Sequence, residues 1–109
     1  MKIVNLTPHA IVIQGLNETL TVAPSGQLAR LSVTREVRPS IIVGDVIVPV
    51  TRPSLGVIIG LPDPVEGTVL IVSAFVAEAA KRADVMSPGE LVRDSAGVIV
   101  GARGLCSYV

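Results

Sequence analysis

The sequence predicts an α+β domain, mostly antiparallel β-sheet, with a single helix after a central strand, and three observations carry this. Short Val- and Ile-rich segments are separated by Gly, Pro, Asn and Asp, the pattern of a β-rich chain. Only one stretch, AFVAEAAKR behind Ser73, combines a cap with helical spacing of apolar residues. The length, 109 residues, supports one core and therefore a single domain over residues 1–109. Pattern alone leaves open whether the sheet closes into a barrel.

The elements follow in order. KIVNL and AIVI read as one strand interrupted at Pro8, and the loop QGLN leads into the alternating strand ETLTVAP, giving a hairpin. PSG turns the chain into QLARLSV, where Ala29, Leu31 and Val33 share one face and Arg30 projects from the other. TREVRPS is the most polar stretch and reads as a surface loop or a twisted edge, because Pro39 cannot donate to a ladder. In IIVGDVIVPV the Gly44-Asp45 pair lies between apolar runs and suits a type II′ hairpin.

GVIIG and TVLIVS are near-continuous apolar runs, expected as central strands covered on both faces and joined by the proline-containing loop LPDPVEG. In the helix, Phe75, Val76, Ala79 and Ala80 are the expected apolar face. Glu78 and Arg82 are four apart, and Lys81 with Arg82 suits the negative end of the helix dipole. MSPGE ends that excursion, and LVRD, SAG and VIVGARGL form a closing hairpin turning at Gly97.

Half of the residues are hydrophobic, more than so small a core can hide. The excess predicts either a membrane protein or a homo-oligomer. The best membrane candidate, GTVLIVSAFVAEAAKR, is interrupted by Ser73 and Glu78 and falls short of the ~20 apolar residues a span needs, so the expectation is a homo-oligomer and no membrane. No secretory leader pattern opens the sequence, which predicts the cytoplasm. A lone cysteine, Cys106, offers no internal disulfide, and with a single histidine it argues against structural zinc. The charges balance at nine basic and nine acidic residues, and with one Phe, one Tyr and no Trp there is neither the field nor the stacking surface of a nucleic-acid binder. Arginine outnumbers lysine seven to two, a bias that suits bidentate capture of phosphate or carboxylate as well as ordinary surface pairing.

Candidate binding residues come from two places. Asn5, Thr7 and His9 alternate along the interrupted strand and can present an amide, a hydroxyl and an imidazole on one side, toward a small ligand. The same TPH break also reads as an edge-strand device against aggregation. Ser73, at the start of the helix, reads as an ordinary cap or as an anion ligand, with Arg82 or Arg93 as charge partners. No nucleophile and base are recognisable, the spacing of Asp63, Glu66, Asp84 and Asp94 matches no metal loop, and no cofactor is expected.

NLTPH at the opening, GLPDPVEGTVLIVSAFVAEAAKRADV in the middle and VRDSAGVIVG near the end resemble a family of short, largely uncharacterised proteins from bacteriophage, prophage and actinobacterial-type genomes. The segment between DV and VRD is shorter here than in that family. The resemblance implies small size and a phage connection, with no activity attached. By analogy with small phage proteins that sequester a host nucleotide signal, the first expected function is non-enzymatic binding of a nucleotide-like anion by a homo-oligomer. The second is a structural or protein-interaction module, an assembly subunit or an inhibitor of a host protein, whose apolar faces are the working surface.

Overall fold

The computed structural model describes residues 1–109, apart from the side chain of Leu55. Its elements run β1 (Lys2–Asn5), β2 (Ile11–Gln14), β3 (Thr19–Val22), β4 (Arg30–Val43), β5 (Val46–Ile59), β6 (Thr68–Ile71), α1 (Ala74–Ala80), β7 (Val85–Arg93) and β8 (Ile99–Ser107). Six strands form one sheet in the order β1-β6-β7-β8-β2-β3, while β4 and β5 pair only with each other. The fold is the expected β-rich α+β type with one helix. Its longest ladders, β4–β5 and β7–β8, are antiparallel, but β1–β6, β6–β7 and β2–β8 run parallel.

Three local predictions hold because turn chemistry is local. β2 and β3 form the first hairpin. β7 and β8 form the last, with Gly97 at φ 81° in its turn. At the Gly44-Asp45 turn Gly44 takes φ 60°, the positive value a type II′ turn requires at its first central residue.

The expected single strand across Pro8 is instead two strands at different places in the sheet: β1 beside β6, and β2 between β8 and β3. The chain crosses from one to the other through Thr7-Pro8-His9. This crossing brings the sheet round on itself, because Asn5 bridges to Pro24 just beyond β3, and the six strands make a nearly closed barrel.

The buried cluster is Leu6, Leu70, Val72, Val76, Ala77 and Val85. β6 lies at its centre, between β1 and β7, and the TVLIVS run is covered as predicted. The β6–α1–β7 crossover joins two parallel strands, which no tight turn can do. Ser73 caps the helix, its hydroxyl accepting from the Val76 N–H at 3.4 Å. The helix is shorter than expected because Lys81 turns left-handed, at φ 47°, and its N–H bonds the Ala77 carbonyl. Lys81 and Arg82 thus lie beyond the last turn, and Arg82 pairs with Asp84 rather than Glu78. The buried face is also narrower: Val76 and Ala77 are inside, while Phe75 and Ala79 stay exposed.

Of the two readings of TREVRPS the edge holds and the loop does not: it is the middle of β4, a fourteen-residue strand with one side unpaired that absorbs Pro39 through a register shift between Arg38 and Ile41. Two further expectations are corrected. GVIIG is not central: it is the returning end of β5, with Val57 and Ile59 exposed and only Ile58 packed against the core. MSPGE belongs to β7, where Pro88 opposes Leu105. Gly89 permits this pairing, since a Cβ there would collide with the Arg103 carbonyl.

The β4–β5 ribbon projects from the barrel and stretches the molecule to 58 × 39 × 25 Å. The radius of gyration is 17.8 Å, against about 13 Å for a compact chain of this length. No helix among the described residues is long and apolar enough to cross a membrane.

Candidate functional site

Asn5, Thr7 and His9 do come together, but their polar atoms are turned on one another. Asn5 is 1% exposed. Its amide Nδ2 donates to the His9 carbonyl at 2.7 Å and the Val22 carbonyl at 3.1 Å, and its Oδ1 accepts from the Thr7 N–H at 2.9 Å and the Thr7 hydroxyl at 2.6 Å. Two donors and two acceptor positions exhaust an amide. The Asn5 backbone carbonyl is taken as well, by the Ser25 N–H at 3.0 Å and the Ser25 hydroxyl at 2.7 Å. One buried side chain therefore shapes the TPH crossing and ties β1 to β3 where the barrel closes. Its partner His9 contributes only a backbone carbonyl and is exposed.

The other three expected residues make separate local bonds, with no polar contact linking them to Asn5 or to each other among the described residues. Ser73 caps α1. Arg82 grips Asp84 bidentately, Nε to Oδ1 at 3.0 Å and Nη2 to Oδ2 at 2.6 Å, and gives Nη1 to the Pro62 carbonyl at 3.0 Å. These hydrogen bonds hold the Asp84 carboxyl below the usual carboxylate range, outweighing the opposite effect of its partial burial. Arg93 donates to the Gly97 carbonyl at 2.9 Å and steadies the last hairpin turn.

The feature left without an internal explanation is the ribbon itself. Near its tip both faces are apolar, with Ile42 and Ile47 paired on one side and Ile41, Val43 and Val46 on the other. Ile42 is 73% exposed, Ile47 70%, and Val37, halfway down, 85%. At the base, between the ribbon and α1, Ala29, Leu31, Val33, Phe75 and Val76 line an apolar groove of about 610 Å³ rimmed by Arg30 and Arg35. Phe75, the chain's only phenylalanine, is 71% exposed on its wall.

None of these residues except Ser73, which also touches the groove, was among the expected site. The signal that could have found them is the symmetry of apolar runs about Gly44-Asp45, which permits pairing far beyond the hairpin tip. Comparisons of the chain with known protein families, with curated proteins and with solved structures gave no match.

Proposed function

We propose that this protein is a structural subunit that assembles with copies of itself through the β4–β5 arm, the second of the two roles considered from the sequence. The observation that carries the reading is the arm: fourteen residues in each strand, paired only with each other and apolar on both faces at the tip. An isolated two-stranded ribbon is at best marginally stable in water, so its length calls for a covering surface. The chain exposes 7695 Å², whereas a compact monomer of its mass exposes about 5700 Å². The difference, about 2000 Å² per chain or about 4000 Å² for a pair, lies in the range that obligate homodimer interfaces bury.

Sequestration of a small anion has less support, because the amide, hydroxyl and guanidinium groups expected to bind it are engaged within the chain. The assembly reading also accounts for the apolar excess of the composition.

Light scattering after size exclusion tests it. The intact protein is expected to run at a multiple of its 11.3 kDa mass. A variant with Ile42→Glu and Ile47→Glu is expected to fall to a single copy that keeps the hydrogen-exchange protection of β6, because both positions lie outside the core, while the uncovered arm loses strand signal in far-ultraviolet circular dichroism. A single-copy mass for the intact protein at high micromolar concentration overturns the proposal.

A further inference from the structure

We propose that two copies lay their β4–β5 arms antiparallel, face against face about a two-fold axis at Val37, so that each tip enters the groove beside α1 of the other copy. This rests on the assembly reading above and names the surface that performs it.

The choice of face follows from strand alternation. Val33, Arg35, Val37, Ile42, Ile47 and Pro53 share one side of the ribbon. The opposite side carries an ion cluster at mid-length, where Glu36 Oε2 accepts from Arg52 Nη2 at 3.0 Å and Glu36 Oε1 lies 3.8 Å from Arg38 Nη1. The first face carries one charge, Arg35, against three on the other, and is the less costly of the two to dry. Edge-to-edge pairing is disfavoured, since Pro49 and Pro53 are four apart in β5 and both remove a donor from its free edge. Contact is thereby directed to the face, where stacked sheets lie ~10 Å apart.

The register is set by distances along the strands. Val37 pairs with Thr51. Ile47 lies four residues from Thr51 toward the tip, and Val33 lies four residues from Val37 toward the base, about 13 Å in each direction. A half-turn about Val37 therefore brings the Ile42–Ile47 pair of one copy to the level of Val33 of the other, on the groove wall, and the reverse contact follows by symmetry.

Charge completes the match. Asp45, two residues beyond Ile47, reaches the level of Leu31 beside Arg30, and neither Asp45 nor Arg30 has an ion-pair partner among the described residues. The tip and the groove that takes it belong to the same chain, and each supplies the charge the other lacks, so the occupant is a second copy rather than an unrelated partner.

Thiol cross-linking tests the geometry in a background where Cys106 is replaced by serine. Val37→Cys is expected to give a covalent dimer with a short bis-maleimide, which spans the gap that faces ~10 Å apart are too far separated for a disulfide to close, whereas Arg38→Cys on the opposite face stays unlinked. Asp45→Arg and Arg30→Asp are each expected to weaken dimerisation by about tenfold, and their combination to recover most of the loss. If Arg38→Cys links and Val37→Cys does not, in a protein that still runs as an oligomer, the proposed face is wrong and the assembly reading survives. If the combined charge variant is weaker than either single one, the placement of the tip is wrong. A single-copy mass for the intact protein removes both proposals.

Discussion

Replacing Asn5 by aspartate changes one atom in the tie that closes the barrel, and the consequences can be worked through bond by bond. The amide Nδ2 now donates to the carbonyls of His9 and Val22. An aspartate oxygen in its place faces two acceptors with nothing to give. The Thr7 hydroxyl keeps its one proton on Oδ1 at 2.6 Å, the carbonyl of the exposed His9 is left to water, and the Val22 carbonyl loses its side-chain donor. Two lost bonds at about 1 kcal/mol net each, and one buried acceptor left unmatched at about 1 kcal/mol or more, give a loss of about 3 kcal/mol. Urea unfolding at fixed protein concentration reads this as a midpoint lowered by about 1.5 M, taking a slope of about 2 kcal/mol/M.

The sign of the pH dependence follows from burial. A carboxyl at a site 1% exposed, facing carbonyl oxygens, titrates above its unfolded value, so the variant is penalised increasingly as pH rises past the unfolded aspartate value of ~3.9. Its gap from the native protein is expected to be smallest in acid and largest at neutral pH. A loss below about 1 kcal/mol at neutral pH, or a gap that does not move with pH, refutes the role given to Asn5.

Other outcomes follow from the same contacts. Gly89→Ala drives a Cβ into the Arg103 carbonyl across the β7–β8 ladder and is expected to cost about 2 kcal/mol in thermal or chemical unfolding. Asp84→Asn loses the charge-assisted grip of Arg82. Because the native carboxyl is lowered by that grip, its contribution is present above ~3.9 and disappears as pH falls through the folded value, so the two unfolding curves are expected to converge in acid. Ser73→Ala removes a 3.4 Å cap from α1 and is expected to cost about 0.5–1 kcal/mol, measurable as a small drop in melting temperature.

What could be read from the sequence was whatever a few neighbouring residues decide. Gly44-Asp45, Gly97 and Ser73 announced two turns and a helix start, and all three are where the sequence puts them. The β-rich class followed from the same local signals. The failures share a different cause. Arg35, Glu36, Arg38 and Pro39 read as a loop or a twisted edge, with nothing to choose between them, because a polar run with a proline rarely sits inside one chain's sheet. In a free ribbon the charged side chains face water and the proline needs only a register shift. Val57 and Ile59 read as core because apolar runs are usually covered by their own chain, and the sequence does not say whose chain provides the cover.

The polar wall expected from Asn5, Thr7 and His9 was half legible. Their proximity was correct, but the amide's partners include Val22, seventeen residues away, which only the closed barrel brings within reach. Arg82 was singled out for its charge, and its bond to Asp84 depended on α1 ending two residues early, at the Lys81 cap.

Hydrogen exchange across residues 33–55 addresses the central claim most directly. A ribbon covered by another copy keeps its ladder amides protected to a degree comparable with β6, and dilution of the protein releases that protection while leaving β6 unchanged. Arm amides that exchange at unprotected rates at every concentration, or protection that dilution does not alter in a protein shown to be a single copy, contradict it.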